Sequence, residues 1–155
     1  MLKYCLDKWN ANKDELEDYF RKTDSLYDAE YKDLVKLVIT HILNPGTSNY
    51  DYMWNPDAIT EIDNGDYQGT LLYLIPADAY QPNEYEYLMT FVNYGSCSGC
   101  DTLQSISPYE YRPLTDDEVK DYMTLCKDIV ANIVKPYNGG WRQDDRFEVV
   151  TMEEI

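Results

Sequence analysis

Two cysteines in a glycine-rich segment are the residues whose types and spacing most directly suggest chemistry. Cys97 and Cys100 lie three positions apart between a predicted strand and a short predicted helix over 101–106. Two thiols at this spacing can form a small disulfide, and a helix N-terminus lowers the pKa of a nearby thiol. Asp101 follows the pair directly, and its negative charge opposes thiolate formation. Redox chemistry is therefore one interpretation of this segment.

The same segment has three other interpretations. A structural zinc site needs four ligands, but the remaining cysteines, Cys5 and Cys126, fall inside predicted helices. The backbone amides of residues 95–99 form a candidate anion site at the start of the helix. The simplest interpretation is a tight corner, in which glycines give backbone freedom and the cysteines act as small packing groups. No cofactor is predicted.

The charge of the chain restricts its partners. Its 155 residues contain 29 Asp and Glu against 13 Lys and Arg, for a formal net charge of -16. Nucleic acid phosphates and anionic membranes repel such a chain, so we expect neither as a direct partner. The acidity favours a basic protein partner or cations, or serves solubility alone. No apolar run is long enough for a membrane span or signal peptide, which predicts a soluble cytoplasmic protein.

Tyrosine is unusually frequent, with 16 tyrosines against 3 phenylalanines. Tyrosine gives a binding surface rigid amphipathic area at low entropic cost. Two segments interleave aromatic residues with acids, which suits docking on a basic, partly apolar patch. The candidate partner-binding residues are Tyr50, Asp51, Tyr52, Trp54, Tyr109, Glu110 and Tyr111. The alternative is that these rings simply cover the surface of the sheet and loops.

The N-terminal part of the chain is predicted to be helical. Residues 2–10 carry an apolar stripe, Asn12 with Glu15 resembles the capping box of a second helix, and residues 25–43 predict a third. Asn44, Pro45 and Gly46 then form a stop signal.

The middle of the chain predicts an antiparallel sheet followed by a long helix. Strands are expected over 58–62, 67–75 and 85–94, with Asn64-Gly65 as the hairpin signal and the acids of that hairpin, Glu61, Asp63 and Asp66, in a solvated turn. Thr115 and Glu118 form a capping box that begins the long helix, and residues 147–152 predict an edge strand. We therefore expect one α+β domain over residues 1–155. It would have three to four antiparallel strands, with the N-terminal helices and the C-terminal helix on one face.

One string in the chain resembles a known group of proteins. Gly95–Gln104 (GSCSGCDTLQ), preceded by Asp66–Thr70 (DYQGT), resembles a recurrent element of small uncharacterised phage and prophage proteins. The resemblance covers about Ile62–Ile106. It implies an origin in a mobile element, and it implies nothing about catalysis.

These observations favour a non-enzymatic role, with no catalytic residues assigned. We predict an acidic interaction protein of phage type in the host cytoplasm. It would block a basic site on a host protein, for example a nucleic-acid-binding site, by mimicking a polyanion such as DNA, as an anti-defence inhibitor does. One alternative is a small redox or metal-binding module that uses Cys97 and Cys100. Another is an immunity-type or folding accessory protein matched to one basic toxin. The sequence leaves the oligomeric state undetermined.

Overall fold

The computed structural model describes residues 1–48 and 52–135. In chain order these residues form α1 (Leu2–Lys22), α2 (Tyr31–Val38), a π-helical turn (Ile39–Leu43), β1 (Thr60–Asp63), β2 (Gly69–Pro76), β3 (Tyr87–Tyr94), α3 (Thr102–Ile106) and α4 (Asp116–Ala131). Within these residues the fold is α+β with an antiparallel sheet of three strands, where three to four were predicted. The predicted strand over 147–152 and the candidate residues Tyr50 and Asp51 lie outside the described residues.

The first helix corrects the prediction of two short helices. Residues 2–22 form one continuous helix, so Asn12 is an interior residue and not a cap. Its side-chain amide donates to the Ile42 carbonyl at 2.8 Å and to the Pro45 carbonyl at 3.3 Å. Asn12 therefore satisfies backbone carbonyls at the end of the π-helical turn, a role set by residues thirty positions away that the local capping pattern cannot show.

The second helix begins later than predicted. Glu30 precedes its first residue, and the Glu30 amide donates to the Asp33 carboxylate at 2.8 Å. The predicted stop is confirmed: the Asn44 amide donates to the Ile39 carbonyl at 3.0 Å, and Gly46 adopts a φ of 71°. This i→i+5 hydrogen bond closes a π-helical turn, which inserts one extra residue into the helix.

The sheet has the order β1-β2-β3, and its register decides which side chains share a face. Tyr73 of β2 lies opposite Glu61 of β1 and Thr90 of β3. Because side chains alternate along a strand, Asp63 lies on the same face as Glu61. Tyr73 and Thr90 are fully buried on that face, and the Thr90 hydroxyl donates to the Ile129 carbonyl of α4 at 2.7 Å.

The last helix begins as the sequence predicts. The Glu118 amide donates to the Thr115 hydroxyl at 3.2 Å, and the Thr115 amide donates to the Glu118 carboxylate at 2.9 Å. Beyond α4, Val134 forms an isolated antiparallel bridge with Met89 of β3. Within the described ranges, no helix is both long enough and apolar enough to cross a bilayer.

Candidate functional site

An open cavity of about 680 Å³ lies where the N-terminus of α2, one face of the sheet beginning at β1 and the segment after β3 meet. Five carboxylates and four tyrosines line it, and no lysine, arginine or histidine is among the described lining residues. The carboxylates belong to Asp28, Glu30, Glu61, Asp63 and Asp101, and the rings to Tyr27, Tyr31, Tyr94 and Tyr109. Concave sites of this size hold a ligand or a segment of a partner.

The β1–β2 hairpin supplies one acidic wall. Glu61 and Asp63 both project from the same face of the edge strand, so their charges lie side by side at the cavity. The Tyr94 hydroxyl donates to Asp63 at 2.7 Å and the Gly65 amide donates at 2.9 Å, which together lower the pKa of Asp63. The same contact with Asp63 raises the pKa of Tyr94 to about 12. The predicted solvated turn is thus partly a cavity wall.

Asp101 supplies the opposite wall and is almost fully buried, with 4% of its surface exposed. Its carboxylate caps α3 by accepting from the Gln104 amide at 2.9 Å, and it also accepts from the Gly95 amide at 2.9 Å and from the Tyr31 hydroxyl at 3.2 Å. Three donors therefore compensate this charge. These neutral donors hold the carboxylate without removing its charge, so the opposition of Asp101 to thiolate formation stays a prediction.

One buried hydroxyl beneath the cavity, that of Tyr73, has no hydrogen-bond partner among the residues that the structure describes. Tyr73 is fully buried, and its hydroxyl forms no hydrogen bond within the described residues. Burial, and then the Glu61 carboxylate opposite it, raise the pKa of Tyr73, and Glu30 and Tyr31 contribute further. Glu61 thus influences the hydroxyl without meeting the geometry of a hydrogen bond. All three of these neighbours line the cavity, so the unsatisfied donor faces its acidic wall.

The segment 109–111 borders the cavity through Tyr109. Tyr109 lines the cavity and is 84% exposed, and the ring of Tyr111 packs on cavity-lining Tyr27 with centroids 5.1 Å apart. Glu110 is exposed and lies 3.7 Å from the Arg112 guanidinium. This half of the predicted partner-binding set is therefore accessible.

Tyr52 and Trp54, the described residues of the other predicted partner-binding segment, are more buried. Trp54 is 1% exposed, so its side chain belongs to the core and is not a surface anchor. It forms a backbone bridge with Ala77, and its indole NH donates to the Tyr4 hydroxyl at 3.2 Å. Tyr52 is half-buried against it, with ring centroids 5.6 Å apart. Neither residue lines the cavity.

The cysteine corner forms the rim beside Asp101. Gly95 and Ser98 line the cavity, and Cys97 and Cys100 are exposed free thiols with their Sγ atoms 2.7 Å apart. Cys5 and Cys126 are buried, and burial raises the pKa of Cys5 to about 12 and that of Cys126 still further. In the part of the chain that the structure describes, no group of three or more His, Cys, Asp or Glu side chains is arranged to hold a metal ion.

No protein-family model, curated protein or solved structure shows significant similarity to this chain. The site is therefore interpreted from its own geometry. Sequence reasoning missed Tyr27, Asp28, Tyr31 and Tyr94 as site residues. The one available signal was the spacing of Glu61 and Asp63, because residues two apart in a strand share a face.

Proposed function

We propose that this protein binds a basic segment of a partner protein in the acidic, tyrosine-lined cavity and thereby blocks that segment. The observation that carries the proposal is the lining itself, which combines five carboxylates with four aromatic rings and, among the described residues, contains no basic side chain. We further propose that all the helices pack on the sheet face that carries Tyr73. The resemblance to phage and prophage proteins makes a bacterial host protein the expected partner.

The recognition chemistry follows from the two kinds of lining group. A lysine or arginine side chain that enters the cavity gains carboxylate acceptors, and its charge lies against tyrosine rings. Asp28 is exposed and lines the cavity, and no hydrogen bond or ion pair occupies its carboxylate within the described residues, so it is available to an incoming charge.

Long-range attraction acts before these contacts form. A net charge of -16 steers a basic partner towards the protein, and this attraction is screened within roughly 10 Å at 0.1 M salt. Steering alone would accept any polycation. The cavity adds specificity, because a partner segment must fit between its walls to bring a cation to lining carboxylates such as Asp28 and Glu61.

The test is binding of a fluorescent octa-arginine peptide, measured by anisotropy at low and high salt. The cavity variant is Asp28→Asn with Glu61→Gln. Its matched control is Asp14→Asn with Glu84→Gln, which removes the same charge from exposed positions that do not line the cavity. We expect the cavity variant to bind about tenfold more weakly and the control to bind nearly as the parent does.

Equal weakening in both variants would refute the cavity as the binding site, because the peptide would then be responding to net charge alone. The partner itself is then sought by pull-down from a bacterial lysate at low and high salt. The informative partner is a basic protein that the parent and the control variant retain and the cavity variant loses. Circular dichroism of each variant checks that the fold is unchanged.

A further inference from the structure

The two thiols at the rim of the cavity lie unusually close together. Their Sγ atoms are 2.7 Å apart, whereas a disulfide bond measures about 2.05 Å. Both side chains are exposed, and neither sulfur is bonded to another cysteine. A small movement of one side chain therefore brings the sulfurs to bonding distance.

The backbone holds this arrangement independently of the sulfurs. The Cys97 carbonyl accepts from the Cys100 amide at 3.0 Å and from the Asp101 amide at 2.8 Å, so the turn is closed on itself. Asp101 in turn binds the Gly95 amide. A Cβ at Gly95 would overlap the Cys100 carbonyl, which explains why glycine occupies this position. The pair is thus preorganised in a turn that other hydrogen bonds maintain.

The two sulfurs are not equivalent. The Cys97 amide donates to the Cys100 Sγ at 3.1 Å, and the Ser96 hydroxyl lies 3.7 Å from the same sulfur. Hydrogen bonding with the Cys97 thiol, and then with the Ser96 hydroxyl, lowers the pKa of Cys100. These donors converge on one sulfur, so Cys100 carries the negative charge when one proton leaves the pair.

We propose that Cys97 and Cys100 form a reversible intramolecular disulfide by exchange with a small-molecule disulfide such as oxidised glutathione. The Cys100 thiolate attacks one sulfur of glutathione disulfide and releases one glutathione thiolate. Cys97 then loses its proton to solvent and attacks the Cys100 Sγ, which expels the second glutathione. The protein loses two electrons and two protons, and the glutathione disulfide gains them as two thiols.

The test uses the full-length protein, treated with oxidised glutathione, quenched with N-ethylmaleimide under native conditions and analysed by intact mass. We expect the reduced protein to take up maleimide at the exposed Cys97 and Cys100 but not at the buried Cys5 and Cys126. After oxidation we expect no native labelling and a mass loss of two hydrogens. Reduction with dithiothreitol should restore the labelling.

Two single variants separate the roles of the cysteines. Cys97→Ser should stop at a stable glutathione adduct on Cys100, because the resolving thiol is missing. Cys100→Ser should form an adduct at least about tenfold more slowly, since Cys97 lacks the converging donors. Circular dichroism confirms that both variants fold.

Three results would overturn the proposal. The first is a parent protein that keeps both reactive thiols after treatment with oxidised glutathione. The second is a glutathione adduct on the parent protein that persists without closing to a disulfide. The third is a stoichiometric metal, found by elemental analysis, that protects both thiols until a chelator removes it. That result would replace the disulfide with a metal site. None of these results affects the octa-arginine test of the cavity.

Discussion

The segments around Tyr52 and Tyr109 have similar compositions and opposite environments. Both combine aromatic rings with acids, yet Trp54 is 1% exposed whereas Tyr109 is 84% exposed. The difference comes from backbone partners. Trp54 bridges to Ala77 and is held by Asn44, while Tyr109 follows the short helix α3 and only borders a cavity. Aromatic–acidic composition therefore does not by itself define a binding surface.

The largest expected effect separates the two segments by stability. Trp54→Ala should lower the free energy of unfolding by about 3–5 kcal/mol, because it empties a large core position. Tyr109→Ala should change it by less than about 0.5 kcal/mol, because the ring is exposed. Urea denaturation measures both. Comparable losses of unfolding free energy in the two variants would contradict the contrast between a buried Trp54 and an exposed Tyr109.

A second, smaller effect tests what holds Trp54 inside. The Asn44 side chain accepts from the Trp54 amide at 2.8 Å and donates to the Trp54 carbonyl at 2.9 Å. Asn44→Ala should cost about 2 kcal/mol, because both partly buried backbone groups lose their partner. Asn44→Asp, which keeps the acceptor and loses the donor, is the matched control. Its free energy of unfolding should lie between those of the parent and of Asn44→Ala. An unchanged urea midpoint in Asn44→Ala would mean that burial alone fixes the tryptophan.

The third prediction tests the exposed segment 109–111 by the kinetics of peptide binding. Tyr111→Ala should weaken octa-arginine binding by about 1 kcal/mol, mainly through faster dissociation, because the ring supports Tyr27 in the cavity wall. Glu110→Lys should mainly slow association, because a rim charge governs encounter. Stopped-flow fluorescence separates the two rates.

Tyr52→Ala is the control for these kinetics, since Tyr52 does not line the cavity. We expect it to leave both rate constants unchanged. If it slowed association or sped dissociation as much as the changes at Tyr111 and Glu110, the two segments would form one surface.

The smallest effect concerns the charge pair behind the exposed segment. Arg112, 2.7 Å from Glu118, holds the pKa of that carboxyl at about 2, below its ordinary value. Because the folded pKa is lower than the unfolded one, the ionised pair stabilises the fold above the ordinary pKa of glutamate. That stability is lost as the pH falls towards 2. Glu118→Gln should cost about half a kcal/mol at neutral pH.

The pH dependence makes this pair testable. Urea unfolding of the parent and of Glu118→Gln should give free energies that converge as the pH falls from about 5 towards 2. A difference that stays constant across this range would mean that hydrogen bonding to Thr115, and not the charge of Glu118, carries the effect.

Local signals allowed much of the fold to be predicted. The capping box of Thr115 and Glu118, the Asn64-Gly65 hairpin and the stop after Leu43 all depend on residues a few positions apart. Asn12 resembles a cap in the same way, but its amide serves carbonyls thirty residues away, and no local pattern carries that information.

The cavity could not be predicted for the same reason. Its walls come from residues 27–31, 61–71 and 94–109, and only the folded sheet brings these stretches together. Composition did indicate that acids and tyrosines would be prominent at a binding site, and two of the tyrosines it singled out, Tyr109 and Tyr111, are accessible. It failed for Trp54, because the bridge to Ala77 is a long-range backbone contact.

The π-helical turn over Ile39–Leu43 makes this chain sensitive to changes in length at one position. Each residue of a helix turns the chain by about 100°, so removing Thr40 would restore an ordinary helix and rotate Asn44 by that angle away from the Trp54 backbone. The hairpin loop over residues 64–68 has no such rotational constraint. Single-residue deletions across both segments, measured by the yield of folded protein, should therefore abolish folding at the π-helical turn and be tolerated in the hairpin loop. Equal yields from deletions in the two segments would contradict this constraint on length.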